Sequence, residues 1–228
     1  MNKRRLGARA DTARATRRRV VDAASRLFVE QGYLDTTMTA IAEEAGVAVQ
    51  TLYLSVGTKV QLLGAAIDVA VGGDEGAGAL QQYGLQAMRE EPDGRAALSM
   101  AVRAARRVYE RSTPLLTRLQ EAAADSEVAE LQASRRHRQS EFFAQIVGVL
   151  AEKKGFNPAP ARDRAVDIVY ALLAAETFRL LCIDRHWDGH EWEDWVGAIL
   201  ADVLFPADRT RAARVSSPAP TRRARKRT

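Results

Sequence analysis

The stretch that most constrains the fold runs from Thr16 to Leu63, where apolar residues recur at helical spacing between short breaks. Gly32 ends the first of these segments, because glycine adopts the left-handed conformation of a helix C-cap at least cost. Before it, the apolar residues repeat as on one buried face of a helix. These residues are Val20, Val21, Ala24, Leu27 and Phe28. The spacing therefore predicts a helix that packs against other parts of the same stretch.

Two short helices are predicted next, with a single turn between them. Thr37 is a suitable N-cap for a helix over Met38–Ala45. Gly46 provides the turn, and a third helix follows over about Val49–Ser55. Small residues at the turn let two helices approach closely, as a helix-turn-helix requires, and the second helix of such a unit lies in the major groove of DNA. The alternative is a small three-helix core that does not bind nucleic acid.

The same stretch carries a longer series of residues with a defined order. The series comprises Ala23-Ala24, Leu27-Phe28, Gly32-Tyr33, Thr36-Thr37, Ile41-Ala42, Ala45-Gly46-Val47, Thr51-Leu52-Tyr53, Lys59 and Leu62-Leu63. In order and spacing it resembles the DNA-binding domain of the TetR family, the tetracycline-repressor-like regulators. The resemblance implies a homodimer, a ligand pocket in a helical C-terminal domain and, usually, repression. The chain departs from the family pattern at Ala48, where Ser or Thr is frequent, and at Leu54-Ser55-Val56, where an aromatic residue or histidine followed by Phe is frequent.

Candidate DNA contacts follow from position in this unit. They are Arg17, Thr37, Thr39, Val49, Gln50, Thr51, Tyr53 and Lys59. Gln50 can form a bidentate contact with adenine, Thr51 can contact a base edge or a thymine methyl group, and Val49 can make only apolar contact. The resemblance favours phosphate contacts for Tyr53 and Lys59. For each residue the alternative is an ordinary surface or packing role.

Arg17 belongs to a run of three arginines, Arg17-Arg18-Arg19, near the predicted start of the first helix. Cations at a helix N-terminus oppose the helix dipole, so we expect DNA phosphate to contact at least one of them. The alternative is that the helix begins earlier, near Asp11-Thr12.

Charge is distributed unevenly along the 228 residues, whose formal net charge is +5. Residues 1–60 carry +4, residues 61–206 carry −6 and residues 207–228 carry +7. Basic ends on an acidic body suit a protein that meets phosphate at its ends. We therefore expect a disordered basic arm (1–12), a helix-turn-helix domain (13–60), a helical ligand-binding and dimerisation domain (61–206) and a disordered basic tail (207–228). Either tail could contact DNA or serve only solubility.

The remaining composition indicates an all-α cytoplasmic protein. No run of about 18 apolar residues is present, which argues against a membrane span. Cys182 is the single cysteine, so no internal disulfide can form, as suits a reducing compartment. In the body, helices are predicted near 76–89, 94–112, 114–124, 126–154, 160–186 and 190–205, with Pro114 as one of the breaks.

Several large side chains of the body are candidates for lining an effector cavity. They are Tyr109, Leu116, Leu119, Phe142, Phe143, Ile146, Tyr170 and Phe178. Few charges lie among them, which favours an apolar or aromatic ligand over a phosphorylated one. The alternative is that all of them belong to the core.

The last two predicted helices are apolar on more than one face and predict a two-fold four-helix interface between subunits. The candidate interface residues are Ile168, Leu172, Leu180, Trp195, Ile199 and Val203. The alternative is burial within one chain.

The loop Asp184–Asp194 contains His186 and His190 among carboxylates, but Asp188-Gly189 interrupts the helix that a zinc pair four residues apart would need. We expect no metal, no cofactor and no enzymatic activity. The expected function is a ligand-responsive transcriptional regulator, most often a repressor, that binds a pseudo-palindromic double-stranded operator as a homodimer and is released by a small-molecule effector. The alternative is a helical small-molecule-binding or scaffold protein without sequence-specific DNA binding.

Overall fold

The computed structural model describes residues 2–73 and 77–207, and this part of the chain is all-α, without a β-strand. The predicted fold class is thus confirmed. The elements in chain order are α1 (Asn2–Gln31), α2 (Met38–Ala45), α3 (Val49–Val56), α4 (Lys59–Gly72), α5 (Ala77–Glu90), α6 (Gly94–Glu121), α7 (Ser126–Ala151), α8 (Arg162–Leu173), α9 (Ala175–Phe178), a π-helical turn (Arg179–Asp184) and α10 (Gly189–Leu204).

The N-terminal helices α1–α4 pack around a shared apolar core, as the spacing predicts. Its fully buried large side chains are Phe28, Ile41, Leu52, Leu62, Leu63 and Ile67. The core continues into the body, because Leu115 and Leu119 of α6 and Val128 of α7 belong to the same cluster. The N-terminal unit is therefore seated directly on the body.

Local signals set the ends of these helices. The Thr37 hydroxyl accepts a hydrogen bond from the backbone N–H of Ala40 at 3.1 Å, and Gly46 closes α2 in the left-handed conformation (φ 64°). Thr58 and Gln61 form a reciprocal capping box at the start of α4. The preceding Gly57 has φ 84°, and a Cβ there would clash with Oε1 of Gln61, so both the backbone and the cap require glycine.

The body has a second core, formed mainly by α6, α7, α8 and α10. Its fully buried large side chains are Leu98, Leu150, Leu173, Trp192, Leu200 and Leu204. The long helix α6 packs against both α10 and α4, so it contacts both cores.

The first helix begins at Asn2, whereas a disordered arm is expected over residues 1–12. Residues 2–12 contain no proline and include three Arg, two Ala, one Lys and one Leu, which favour helix over coil. The helix thus begins before Arg17, as the alternative expected, but nine residues ahead of the Asp11-Thr12 start that the alternative gave. Arg17 lies inside α1, beyond its first turn, so the dipole argument for a phosphate there no longer applies.

Helix α6 runs through Pro114, which was predicted to separate two helices. Pro114 lacks the N–H that would bond to the carbonyl of Glu110, but its neighbours Ser112, Thr113 and Leu115 are buried in the protein. Packing on either side thus maintains the helix despite the missing hydrogen bond.

The single helix predicted over residues 160–186 is interrupted at Ala174, which has extended backbone angles (φ −71°, ψ 150°). The hydroxyl of Tyr109 donates to the carbonyl oxygen of Leu173. This oxygen would otherwise accept a hydrogen bond from the backbone of residue 177, whose N–H instead bonds to Ala174 at 3.1 Å. A buried side chain of α6 therefore replaces the missing helical hydrogen bond at this break.

Among the described helices, none is long and apolar enough by itself to cross a membrane. Helices α3 and α4 are long and apolar enough only when they are taken together, and they are bent by 63° at their junction. The expected disordered tail begins at residue 207 and otherwise lies outside the described residues.

Candidate nucleic-acid interface and effector cavity

Helix α3 has one buried side and one exposed side. Leu52 and Val56 are buried in the N-terminal core. The opposite side is exposed over Val49, Gln50, Thr51, Tyr53 and Leu54. Leu54 is the most exposed of these large side chains, at 82%. This surface thus brings together the four predicted base and phosphate contacts of α3.

The N-terminus of α3 has no side-chain cap. Ala48 occupies the N-cap position, and its methyl group offers no hydrogen-bond acceptor to the first turn. This is the position at which the sequence departs from the hydroxyl residues frequent in the resembled family. The departure costs one cap hydrogen bond but leaves the helix in place.

Arg17 fixes the opposite end of α3. Its Nη1 donates to the carbonyl oxygen of Ser55 at 2.6 Å. A cation at a helix C-terminus is favourable for the helix dipole, so this contact stabilises the last turn of α3 against α1. The predicted phosphate ligand is therefore also a support of the candidate recognition helix.

The other predicted DNA contacts lie at helix N-termini. Thr37 and Thr39 are exposed at the start of α2. Lys59 lies at the start of α4, where its Nζ donates to the carbonyl oxygen of Leu34 at 3.2 Å and is 4.3 Å from the ring centroid of Tyr33. Partial burial lowers the pKa of Lys59, while the carboxylates of Asp125 and Asp35 oppose that shift. Lys59 thus holds the turn after α1 against α4.

A cavity of about 900 Å³ lies in the body between α4, α5, α6, α7 and the α8–α9 break. Six of the predicted ligand contacts line it: Tyr109, Leu116, Leu119, Phe142, Phe143 and Ile146. Its size is within the usual range for small-molecule pockets.

Tyr170 and Phe178 do not line this cavity but lie behind its wall. Phe178 packs against Tyr109 and Trp192 with ring centroids 5.8 and 5.2 Å away, and Tyr170 meets the edge of Phe143 at 5.9 Å. The sequence could not separate lining from backing residues, because both are apolar and occur on the same helical faces.

A hydrogen-bonded chain crosses the cavity wall at Tyr109. Nε2 of Gln139 on α7 donates to the Tyr109 hydroxyl at 3.2 Å, and that hydroxyl donates in turn to Leu173. Burial raises the pKa of Tyr109 far above its ordinary value, although the hydrogen bond from Gln139 opposes this shift. The neutral phenol therefore links α7, α6 and α8 throughout the ordinary pH range.

Charged residues also line the cavity, which the sequence analysis missed. They are Arg103, Arg107, Arg135, Arg136, Arg138 and Arg179, with the carboxylates Asp68 and Glu176. Most of these arginines are exposed residues of α6 and α7, a pattern that is typical of the solvent side of a helix. The expectation of few charges near the ligand is wrong for the lining as a whole.

The predicted dimer residues lie on the outer sides of α8, the π-helical turn and α10. Ile168, Leu172, Ile199 and Val203 are half-buried. Leu180 and Trp195 are exposed by 51% and 38%, and neighbouring Ile183 by 52%. The body therefore covers these apolar side chains only in part.

The loop Asp184–Asp194 is organised by capping and ring contacts. Asp184 pairs with Arg179 at 2.8 Å, and Asp188 caps α10 in a capping box with Glu191. The rings of Trp187 and Trp195 meet edge to face at 5.7 Å. Within residues 2–73 and 77–207 no group of three or more His, Cys, Asp or Glu side chains could hold a metal ion.

Two arginines of α6 connect the body with the N-terminal helices. Arg111 donates to the carbonyl oxygens of Ala70 and Val71 at the end of α4, at 3.2 and 3.0 Å. Arg118 donates to the carbonyl oxygen of Val29 near the end of α1. Helix α6 therefore binds the C-terminal turns of two helices of the N-terminal unit, a contact that no local sequence signal indicates.

Comparisons with known proteins agree with the geometry of the N-terminal unit. Residues 20–66 match the family described as bacterial regulatory proteins, tetR family. No curated protein sequence matches the chain.

Solved structures resemble the chain over most of its length. NalD, described as the secondary repressor of the MexAB-OprM multidrug efflux pump in Pseudomonas aeruginosa, aligns with a TM-score of 0.65 and 19% identity, covering 85% of this chain and 98% of that chain. The fatty acid degradation regulator FadR from Bacillus halodurans aligns with a TM-score of 0.65 and 20% identity, covering 80% and 96%. SmeT in its complex with triclosan aligns with a TM-score of 0.65 and 16% identity, covering 93% and 100%. At these identities the similarity shows a shared fold.

Proposed function

The chain belongs to the tetR family of bacterial regulatory proteins through residues 20–66, and we propose that it is a cytoplasmic repressor that binds a pseudo-palindromic operator as a homodimer and is released by a small-molecule effector. Such proteins are ligand-responsive DNA-binding regulators.

The observation that carries the proposal is the exposed side of α3. Leu52 and Val56 hold the helix in the N-terminal core, so Gln50, Thr51 and Tyr53 are free to contact DNA. Gln50 and Thr51 lie in the first turn, which is the part of a recognition helix that contacts base edges. Tyr53, three residues after Gln50, reaches the phosphate backbone through its hydroxyl.

The proposed dimer forms through the apolar surface of α8, the π-helical turn and α10. Leu180, Ile183 and Trp195 are large apolar side chains that are all exposed, and exposed apolar area of this kind is typical of an interface. Two copies of this surface would bury them in a two-fold interface and place two α3 helices on one side of the dimer. Half-sites in the operator are then separated by one helical turn of DNA or a multiple of it.

The proposed effector site is the body cavity. Its apolar wall accommodates the apolar or aromatic part of a small molecule. Helices α4 and α6 both line the cavity, and Arg111 links α6 to the end of α4. An effector that separates α6 from its neighbours would shift the N-terminal units relative to each other, so that their spacing no longer matches the operator. The effector and DNA then weaken each other's binding reciprocally.

The test is a titration of the purified full-length protein against the DNA upstream of its own coding sequence, with a scrambled duplex of equal length, at two salt concentrations. Tighter binding to the upstream DNA that persists at the higher salt concentration supports sequence reading. Gln50→Ala should weaken this binding by about 1–3 kcal/mol, because it removes a bidentate base contact.

Gln145→Ala is the matched control, because Gln145 is an exposed glutamine of α7 outside the cavity. It should leave DNA affinity unchanged. Equal affinity for the two duplexes, collapsing with salt, would contradict the proposal and favour the scaffold alternative.

A further inference from the structure

Two buried polar atoms among the cavity-lining residues lack a hydrogen-bond partner within the described chain. They are Oγ1 of Thr113 on α6 and Nε of Arg179 in the π-helical turn. Thr113 is 4% exposed. Burying such groups without a partner is costly, so their retention in a cavity wall indicates a ligand with hydrogen-bonding atoms. Nε of Arg179 can only donate, and it therefore requires an acceptor.

The charge of the cavity wall is positive after its own ion pairs are taken into account. Three of its arginines form ion pairs: Arg103 with Glu193 at 3.3 Å, Arg135 with Asp68 at 2.6 Å and Arg179 with Asp184 at 2.8 Å.

Three further arginines of the wall remain without a carboxylate partner within residues 2–73 and 77–207. They are Arg107, Arg136 and Arg138, of which only Arg138 has a hydrogen bond, to the hydroxyl of Ser134 at 3.3 Å. Glu176 is the one lining carboxylate that forms no ion pair in the same part of the chain. The surplus of cations would repel a cationic effector and attract an anionic one.

Another part of the wall is apolar. Leu85, Met88, Phe142, Phe143 and Ile146 line the cavity from α5 and α7. A hydrophilic anion such as inorganic phosphate would leave this surface uncovered, whereas an alkyl chain or an aromatic body would bury it.

We propose that the effector is an amphipathic carboxylate, with its apolar body against α5 and α7 and its head group among the unpaired arginines. This inference rests on the effector site of the proposed function and specifies the chemical class that the site accepts. A carboxylate offers acceptor oxygens that arginine donors bind strongly, and its negative charge offsets part of the positive surplus of the wall.

The test compares three probes with the same decyl chain and different head groups: decanoate, decanol and decyltrimethylammonium. Each is titrated into the full-length protein without DNA, below its micelle concentration, by isothermal titration calorimetry. Decanoate should bind at least tenfold more tightly than decanol, and decyltrimethylammonium should bind most weakly; about tenfold corresponds to one charge-assisted hydrogen bond.

Arg107→Gln and Arg136→Gln remove exposed arginines without known partners, so the fold should persist, as circular dichroism can verify. The double variant should weaken decanoate binding by about tenfold and leave decanol binding unchanged. Lys154→Gln, at an exposed lysine outside the cavity lining, removes one positive charge, as each single arginine variant does, and should change neither affinity.

Equal affinity for decanoate and decanol, tightest binding of decyltrimethylammonium, or no binding of any probe would overturn the assignment. Failure of the repressor proposal is distinguishable, because it appears in the DNA titration. Arginine-dependent decanoate binding without operator binding would support the carboxylate site and contradict the proposed function as a DNA-binding repressor.

Discussion

The guanidinium group of Arg118 donates two hydrogen bonds to the carbonyl oxygen of Val29, from Nε at 3.3 Å and from Nη2 at 3.0 Å. Val29 lies in the last turn of α1, where backbone carbonyls have no partner within the helix. Arg118 lies on α6 beside Leu119, which lines the cavity. The body thus caps a helix of the N-terminal unit next to the proposed effector site.

Arg118→Ala should lower the free energy of unfolding by about 1–2 kcal/mol, because two hydrogen bonds from a charged donor are lost at a partly buried site. Amide hydrogen exchange should become faster at the end of α1, around residues 27–32, and change little in α10. Urea denaturation and exchange measured by mass spectrometry provide the two readouts.

Arg164→Ala is the control for Arg118→Ala. Arg164 forms a highly exposed ion pair with Asp167, at 3.1 Å, and such pairs contribute little to stability. A loss of stability as large in the control as in Arg118→Ala would show that the contact with Val29 has no special role.

Tyr109 provides a second prediction, since its hydroxyl replaces a helical hydrogen bond at the end of α8. Tyr109→Phe keeps the ring but leaves the carbonyl of Leu173 and the amide of Gln139 without their partner. The free energy of unfolding should fall by about 1–3 kcal/mol, the cost of unsatisfied buried polar groups. Thermal and urea denaturation measure this change.

Tyr83→Phe is the matched substitution on the same cavity. Tyr83 is 66% exposed, so its hydroxyl remains hydrated and its loss should change stability by less than about 0.5 kcal/mol. Similar effects in the two variants would mean that the break after Leu173 does not depend on Tyr109.

The local parts of the fold were accessible from sequence because their causes lie within a few residues. The N-cap at Thr37 and the glycine turn at Gly46 each depend on neighbouring backbone, and α2 begins and ends where these signals place it. The exposed side of α3 follows from the burial of Leu52 in the same way. A recognisable series of residues carried the family resemblance over this unit.

The rest depends on contacts between residues far apart in the chain. Helix α6 persists through Pro114 because distant helices bury its neighbours, and α8 ends because Tyr109, 64 residues earlier, occupies its last carbonyl. The arginines of the cavity wall escaped prediction for the same reason. A helical periodicity shows which residues share a face, but not that an exposed face borders a cavity.

Glu193 makes stability dependent on pH through its pairs with two arginines. It accepts hydrogen bonds from Arg106 at 2.6 Å and Arg103 at 3.3 Å. Burial alone would raise the pKa of Glu193, but these hydrogen bonds hold it below its ordinary value. A carboxyl with a lowered pKa in the folded state stabilises the fold above its unfolded pKa, and this contribution is lost as the pH falls through the folded pKa.

Glu193→Gln should therefore lower the free energy of unfolding by about 1–3 kcal/mol at pH 7, and the difference from the unmodified protein should shrink below about pH 4.3. Urea denaturation at pH values from neutral to acid measures this difference in the free energy of unfolding. Glu130→Gln, at an exposed glutamate of α7, should change the free energy of unfolding at pH 7 by less than about 0.5 kcal/mol. A difference for Glu193→Gln that grew on acidification would refute the assignment.

The uncapped start of α3 gives the last prediction. Ala48 has the extended backbone of an N-cap (φ −69°, ψ 144°) but no side-chain acceptor for the first turn. Ala48→Ser should supply that acceptor without a change of backbone and raise the free energy of unfolding by about 0.5–1 kcal/mol. Ala133→Ser places the same hydroxyl at an exposed position within α7, where the nearby backbone N–H groups are already bonded within the helix. It should be neutral or slightly destabilising. If Ala48→Ser gave no more stability than Ala133→Ser, the missing cap would not reduce the stability of α3. The helix would then be held mainly by the contact of Arg17 with Ser55 at its C-terminal end.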